Sequence, residues 1–128
     1  MILINRVKTK NAPKAIGTYS QGSIFENLVF TSGQIAINPI SGNLVTDDFS
    51  KEIEQVLENI NSVLEAGGSN RDNIVKLTVF ITDMSNFKFV NEAFKNFFIH
   101  DYPARSVVEV SDLPLNVNIE IEAIGIKI

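Results

Sequence analysis

The chain has 128 residues, 45% apolar and 20% charged, with only seven glycines and four prolines, so it is an ordinary globular chain, too short for two domains. Its net charge of -4 and pI near 4.9 argue against nucleic-acid binding, which normally needs a basic face. No cysteine is present, which excludes disulfides, thiol nucleophiles and thiolate metal ligands, and the single histidine, His100, cannot form a His cluster for a metal.

The start Met1-Ile2-Leu3-Ile4-Asn5-Arg6 is apolar for too short a run to be a secretion signal, and no membrane-length apolar stretch follows. The expectation is a soluble, cytoplasmic protein in which residues 1–128 form a single domain. Residues 20–37 read as a hairpin, with Glu26-Asn27 as the turn and Leu28-Val29-Phe30-Thr31 as the return strand. Asn38-Pro39-Ile40-Ser41-Gly42 is a turn cluster.

Asp47-Asp48 offers a helix N-cap. Phe49, Ile53, Val56, Leu57, Ile60, Val63 and Leu64 then recur at helical spacing up to Gly67-Gly68, which reads as a C-cap and not as a phosphate cradle. Ile74 to Thr82 is rich in β-formers and predicts a central strand. Asp83 to Asn86 starts a second helix with Val90, Phe94, Phe97 and Phe98 on one core-facing stripe, and His100 falls at its C-terminal end, where an imidazole complements the helix dipole. Two strands complete the chain, roughly 105–111 and 117–127. The order β, β, β, α, β, α, β, β predicts an α+β sandwich with two helices on one face of a sheet. Two helices cannot cover both faces, so the other face calls for a second subunit.

Two charged residues stand out. Arg105, one of three arginines, follows Tyr102-Pro103-Ala104 at the lip of a strand, where a guanidinium needs an anionic partner. On the last strand Asn118, Glu120, Glu122, Ile124, Ile126 and Ile128 share a face that begins polar and turns apolar. Glu120 and Arg105 are expected to converge near one end of the sheet, with Glu122 further from the Arg105 end. On charge alone, the carboxylates of this strand also read as solvated surface groups.

Ile16-Gly17-Thr18-Tyr19-Ser20-Gln21-Gly22, Thr31-Ser32-Gly33-Gln34-Ile35, Val90-Asn91, Tyr102-Pro103-Ala104-Arg105-Ser106 and Ile119-Glu120-Ile121-Glu122-Ala123 together resemble the reactive intermediate deaminases, the RidA (YjgF) family. The five motifs run in order over essentially the whole chain. The resemblance implies a chorismate-mutase-like α+β fold, a mixed sheet with two helices on one face, and a homotrimer with clefts between subunits. It implies cofactor-free, metal-free hydrolysis of 2-imino and 2-enamino acids (2-aminoacrylate, 2-iminobutanoate, 2-iminopropanoate) to 2-oxo acids and ammonia. Pyridoxal-phosphate dehydratases release these species, which damage other enzymes. Carried over residue by residue, Arg105 clamps the substrate carboxylate with the backbone N–H groups of Gly33 and Val107, and Glu120 positions water and moves protons. Tyr19 closes the cleft from the neighbouring subunit, and Ser32 and Asn91 line it; outside the resemblance these three read as turn or cap residues. Many members carry cysteine where this chain has Val107, so a thiol there cannot be required. Two other readings stand beside this one: a non-catalytic 2-oxo-acid-binding or regulatory module, and the endoribonuclease or translation-inhibitor role reported for some relatives.

Overall fold

Asp48 starts the longer helix. Its side chain accepts a hydrogen bond from the Lys51 amide at 3.2 Å and caps α1, Phe49–Ala66, as its placement ahead of the apolar stripe predicts. The helix stops at Gly67, and Gly68 follows at φ +92°, a conformation that favours glycine. The computed structural model to which these elements belong describes residues 3–128; Met1 and Ile2, the start of the apolar N-terminal run, lie outside the described residues.

The strands are β1 (Asn5–Val7), β2 (Gly22–Phe25), β3 (Leu28–Thr31), β4 (Ile74–Ile81), β5 (Ala104–Glu109) and β6 (Ile119–Ile126). Between β4 and β5 runs α2, Phe87–Phe97. The predicted element order holds, and the hairpin turns at Glu26, whose φ is +52°. Asp83 to Asn86 differs in detail. Met84–Asn86 form a 3₁₀ turn, capped by the Asp83 carboxylate on the Ser85 amide, and the α-helix begins only at Phe87.

Among the described residues the sheet has six strands in the order β1-β2-β3-β6-β4-β5. All neighbours are antiparallel except β4 and β5, whose parallel pairing requires the crossover that α2 supplies. Leu77, Val79, Ile81, Ile119, Ile121 and Ala123 are buried with Ile53, Leu57, Ile60 and Leu64 of α1 and Val90 and Phe94 of α2. Both helices therefore sit on one face, as the pattern predicts. Strand alternation sends Phe30, Phe80, Glu120, Glu122, Ile124 and Ile126 to the other face, which no helix covers. Phe30 there is 37% exposed and Ile126 44%.

A candidate active site in two halves

The first half is built by a fault in the sheet register. From the pair Phe30↔Ile124 to the pair Gln34↔Ile121, the β3 side advances four residues while β6 advances three. The extra residue makes a β-bulge at Thr31–Gly33. Neighbouring groups pin it on every side. Thr31 Oγ1 accepts the Ala123 amide at 3.0 Å, the Ser32 amide donates to the Gln21 carbonyl at 2.9 Å, and the Ser32 hydroxyl donates to the Ser20 carbonyl.

Gly33 leaves open the space that the Glu120 side chain occupies. A Cβ there would lie 2.8 Å from Cδ and 3.1 Å from Cγ of Glu120, so glycine lets that side chain rest on the bulge. Tyr19 completes this half from a turn that it fastens itself, its hydroxyl accepting the Ile16 amide at 3.2 Å. Tyr19, Ser32, Gly33 and Glu120 line one cavity of about 310 Å3, which Pro114 borders from the loop before β6. Glu120 is half-buried. Burial first, and the nearby Glu122 carboxylate second, push its pKa up.

The second half lies on β5. Arg105 pairs with Leu77 and shares its helix-side face. Its guanidinium carbon lies 5.3 Å from the ring centre of Phe87 and 5.0 Å from that of Phe94, a cation–π contact with α2. Burial pushes the Arg105 pKa down, yet a guanidinium remains charged at neutral pH. Arg105 and Asn91 line a cavity of about 520 Å3 with Tyr102 and Pro103. The Val107 side chain packs against the core, while its peptide group belongs to the sheet edge. The Val110 amide donates to the Ile81 carbonyl at 2.8 Å. Amide directions alternate along a strand, so the N–H groups of Arg105 and Val107 point outward from that open edge.

The expected convergence of Arg105 and Glu120 does not occur within the chain. Arg105 is in register with Leu77, and Glu120 with Phe80, three residues further along β4. An odd offset puts the two side chains on opposite faces of the sheet. Glu122, paired with Thr78, is nearer the Arg105 register than Glu120 is, contrary to expectation, but it shares Glu120's face. Tyr19 groups with Glu120, and not opposite it. The chain thus brings Tyr19, Ser32, Gly33 and Glu120 together and holds Asn91, Arg105 and Val107 apart from them. The ion pairs among the described residues are Arg71–Glu58 and Lys95–Glu92, so neither Arg105 nor Glu120 is in one, although Lys14 also lines the Glu120 cavity.

One residue escaped the sequence reading. Glu52, in the first turn of α1, is 0% exposed, and its two carboxylate oxygens accept the Asn118 amide at 2.8 Å and Asn118 Nδ2 at 2.7 Å. That bond ties the helix to the entrance of β6, two residues ahead of Glu120. The signal was present: Glu52 falls three after Phe49 and four before Val56, a carboxylate inside the apolar stripe. His100 lies exposed, three residues beyond the end of α2. Among the described residues no His, Cys, Asp or Glu cluster is arranged to hold a metal, and no helix is long and apolar enough to cross a membrane.

Residues 9–127 match the Endoribonuclease L-PSP family. A RutC family protein of Pyrococcus horikoshii is 47% identical over 119 residues, 93% of this chain and 94% of its own length. The 2-iminobutanoate/2-iminopropanoate deaminase of Salmonella typhimurium is 45% identical over 124 residues, 94% of this chain and 96% of that protein. The solved structure of E. coli TdcF with bound serine has a TM-score of 0.92 at 41% identity, covering 97% of this chain and 99% of that one.

Proposed function

The chain belongs to the RidA/YjgF/RutC family, and from that premise we propose that it is a cofactor-independent deaminase. It hydrolyses 2-imino and 2-enamino acids such as 2-iminobutanoate, 2-iminopropanoate and 2-aminoacrylate to 2-oxo acids and ammonia, in the cytoplasm where dehydratases release them. The observation that carries this reading is a pair of complementary, unsatisfied charges. A half-buried guanidinium with no carboxylate in its cavity occupies one face of the sheet, and a half-buried carboxylate that makes no ion pair, with Lys14 also lining its cavity, the other. Each half is chemically incomplete alone. Setting the β5 edge of one copy against the bulge of the next would complete a cleft, and would cover the apolar side chains of the open face. A closed ring of three copies makes three such clefts.

In that cleft the planar guanidinium of Arg105, lying over Phe87 and Phe94, receives the substrate carboxylate by two parallel hydrogen bonds. The outward Val107 N–H of that copy and the Gly33 N–H of its neighbour complete the clamp. Asn91, Tyr19 and Ser32 line the remaining walls. Val107 leaves the amide in place, and its two methyl groups add bulk where many relatives carry a thiol.

Glu120 then works on a water. Its carboxylate takes a proton as the water oxygen bonds to C2 and the C=N electron pair moves onto nitrogen. The same carboxyl returns that proton to nitrogen and then carries the remaining hydroxyl proton to it as well, so that the C–N bond breaks and ammonia leaves as the C=O forms. One water enters and one ammonia departs. A 2-enamino acid first gains a proton at C3 to become the imine. A pKa raised by burial suits a group that must both accept and donate. The serine bound to E. coli TdcF is a small 2-amino acid with a carboxylate of the kind this clamp would hold.

The deciding experiment generates an imino acid in situ with an amino-acid oxidase and follows its loss. Catalytic amounts of this protein should accelerate 2-oxo acid formation. If 2-oxobutyrate binds but no acceleration is seen, the protein is a binding module and not an enzyme.

A further inference from the structure

The charges of this acidic chain are not evenly spread. Arg6, Lys8, Lys10 and Lys14 all precede the first carboxylate, Glu26. That leaves seven cations against fifteen acids in the rest of the chain. The basic segment is not a loose tail. Val7 and Ala12 are buried. The buried Gln21 amide holds the loop between them: Oε1 accepts the Thr9 amide at 2.7 Å, and Nε2 donates to the carbonyls of Thr9 at 3.0 Å and Pro13 at 2.8 Å.

All four cations line a single open groove of about 1090 Å3, and no carboxylate lines it. None of the four is in an ion pair among the described residues; the Arg6 guanidinium donates to the Ser23 hydroxyl at 2.9 Å. The groove runs into the Glu120 cavity, with which it shares Pro13, Lys14, Ile16, Tyr19 and Ile37. We propose that this groove is an electrostatic antechamber that gathers small carboxylate anions and delivers them to the Glu120 cavity. The inference rests on the deaminase reading, and it adds how the substrate reaches the site.

The physical need is clear. A molecule of net charge -4 repels an anionic substrate, and an imine that hydrolyses within its own lifetime must be caught quickly. A concave, single-sign surface raises the local anion concentration and the on-rate, by roughly 10–10³-fold in strong cases. The residue types fit that task. Exposed lysine ammonium groups attract as mobile point charges without holding the ligand in a fork, whereas the Arg105 guanidinium, fixed by its cation–π contact, is suited to hold it.

Lys8→Glu/Lys10→Glu tests the idea, because both residues are exposed and lie outside the Glu120 cavity. With the oxidase in excess, kinetics are measured at ionic strengths of about 0.01 M and 1 M, where screening lengths are about 30 Å and 3 Å. The wild-type kcat/KM should fall several-fold with salt. The variant should start about 10-fold lower at low salt and converge on wild type at high salt, with kcat unchanged throughout. A wild-type kcat/KM indifferent to salt, or a variant defect that persists at high salt, overturns the antechamber while leaving the deaminase standing. If the wild type shows no deamination, the deaminase reading fails by itself. The same two salts are then applied to 2-oxobutyrate binding by calorimetry. Converging affinities support the antechamber, and equal affinities or no binding overturn it.

Discussion

The bulge half and the β5-edge half of the site place a charge by opposite means. At the bulge the backbone does the work. Thr31, Ser32 and Gln34 are all hydrogen-bonded to neighbouring segments, and Gly33 gives up its side chain so that Glu120 can lie across it. At the edge a side chain does the work, since Arg105 rests over two rings of α2 and the backbone beside it is left open. Burial opposes ionisation at both, raising the pKa of the acid and lowering that of the base. Each half thus bears a desolvation cost that the other's charge would offset. A site split in this way is one that two chains complete better than one.

The largest effect should come from the bulge half. Glu120→Gln keeps the size of the side chain but cannot accept a proton, so the rate should fall by roughly 10²–10⁴. A stable 2-oxo acid such as 2-oxobutyrate should still bind within a few-fold of wild type by calorimetry. Stability should move the other way. An acid whose folded pKa is raised contributes most to stability below its unfolded pKa, and that contribution is lost as pH rises through the folded value. For the dissociated chain at neutral pH the glutamine should therefore raise the thermal midpoint slightly. Equal losses of binding and rate would make Glu120 a binding residue and not a base.

The edge half should answer differently, in binding as well as rate. Arg105→Ala should cost about 3–5 kcal/mol of transition-state binding, or roughly 10²–10³-fold or more in kcat/KM. Arg105→Lys should be nearly as poor, because an ammonium cannot present the paired fork. An alanine variant that keeps most of its activity would assign Arg105 a structural role only.

Mixing the two lesions tests the division itself. Arg105→Ala and Glu120→Gln chains, each inactive alone, can be co-expressed with different tags and purified as mixed assemblies. If one cleft takes Glu120 from one chain and Arg105 from the next, random mixing in a closed ring restores about a quarter of the clefts. If both residues serve from the same chain, nothing is restored. Light scattering on the wild type belongs with this test, since a stable, fully active monomer would contradict any shared cleft.

Much of the scaffold was legible in the chain because its signals are local. The Asp48 cap, the apolar stripe of α1 and the Gly67-Gly68 stop all lie within one helix length, and the hairpin lies within ten residues. The site was legible only as a set of residues. Which face Arg105 occupies depends on its register against β4 across the whole of α2, and no short-range pattern encodes that. The bulge is a mismatch between segments that lie far apart in sequence, and Thr31 reaches Ala123 across 92 positions. Glu52 was the exception, a carboxylate on an apolar stripe whose partner, Asn118, lay 66 residues away.

The smallest effect should be the most specific. Glu122 shares the open face with Glu120, two residues further along β6, but it is exposed, whereas Glu120 is half-buried. Its effect on Glu120 is as the lesser of two causes that raise the Glu120 pKa. Glu122→Gln removes that like charge and leaves the burial. Glu120 should then ionise at lower pH, and the acid limb of kcat/KM should shift downward. At neutral pH the rate should change by less than about twofold. Removing one negative charge near the cavity should also lower KM for an anionic substrate slightly. Full pH profiles of wild type and Glu122→Gln decide the matter. A limb that does not move would show that Glu120 does not set the profile. A large rate loss at Glu122 beside a small one at Glu120 would show that the working carboxylate is the exposed one.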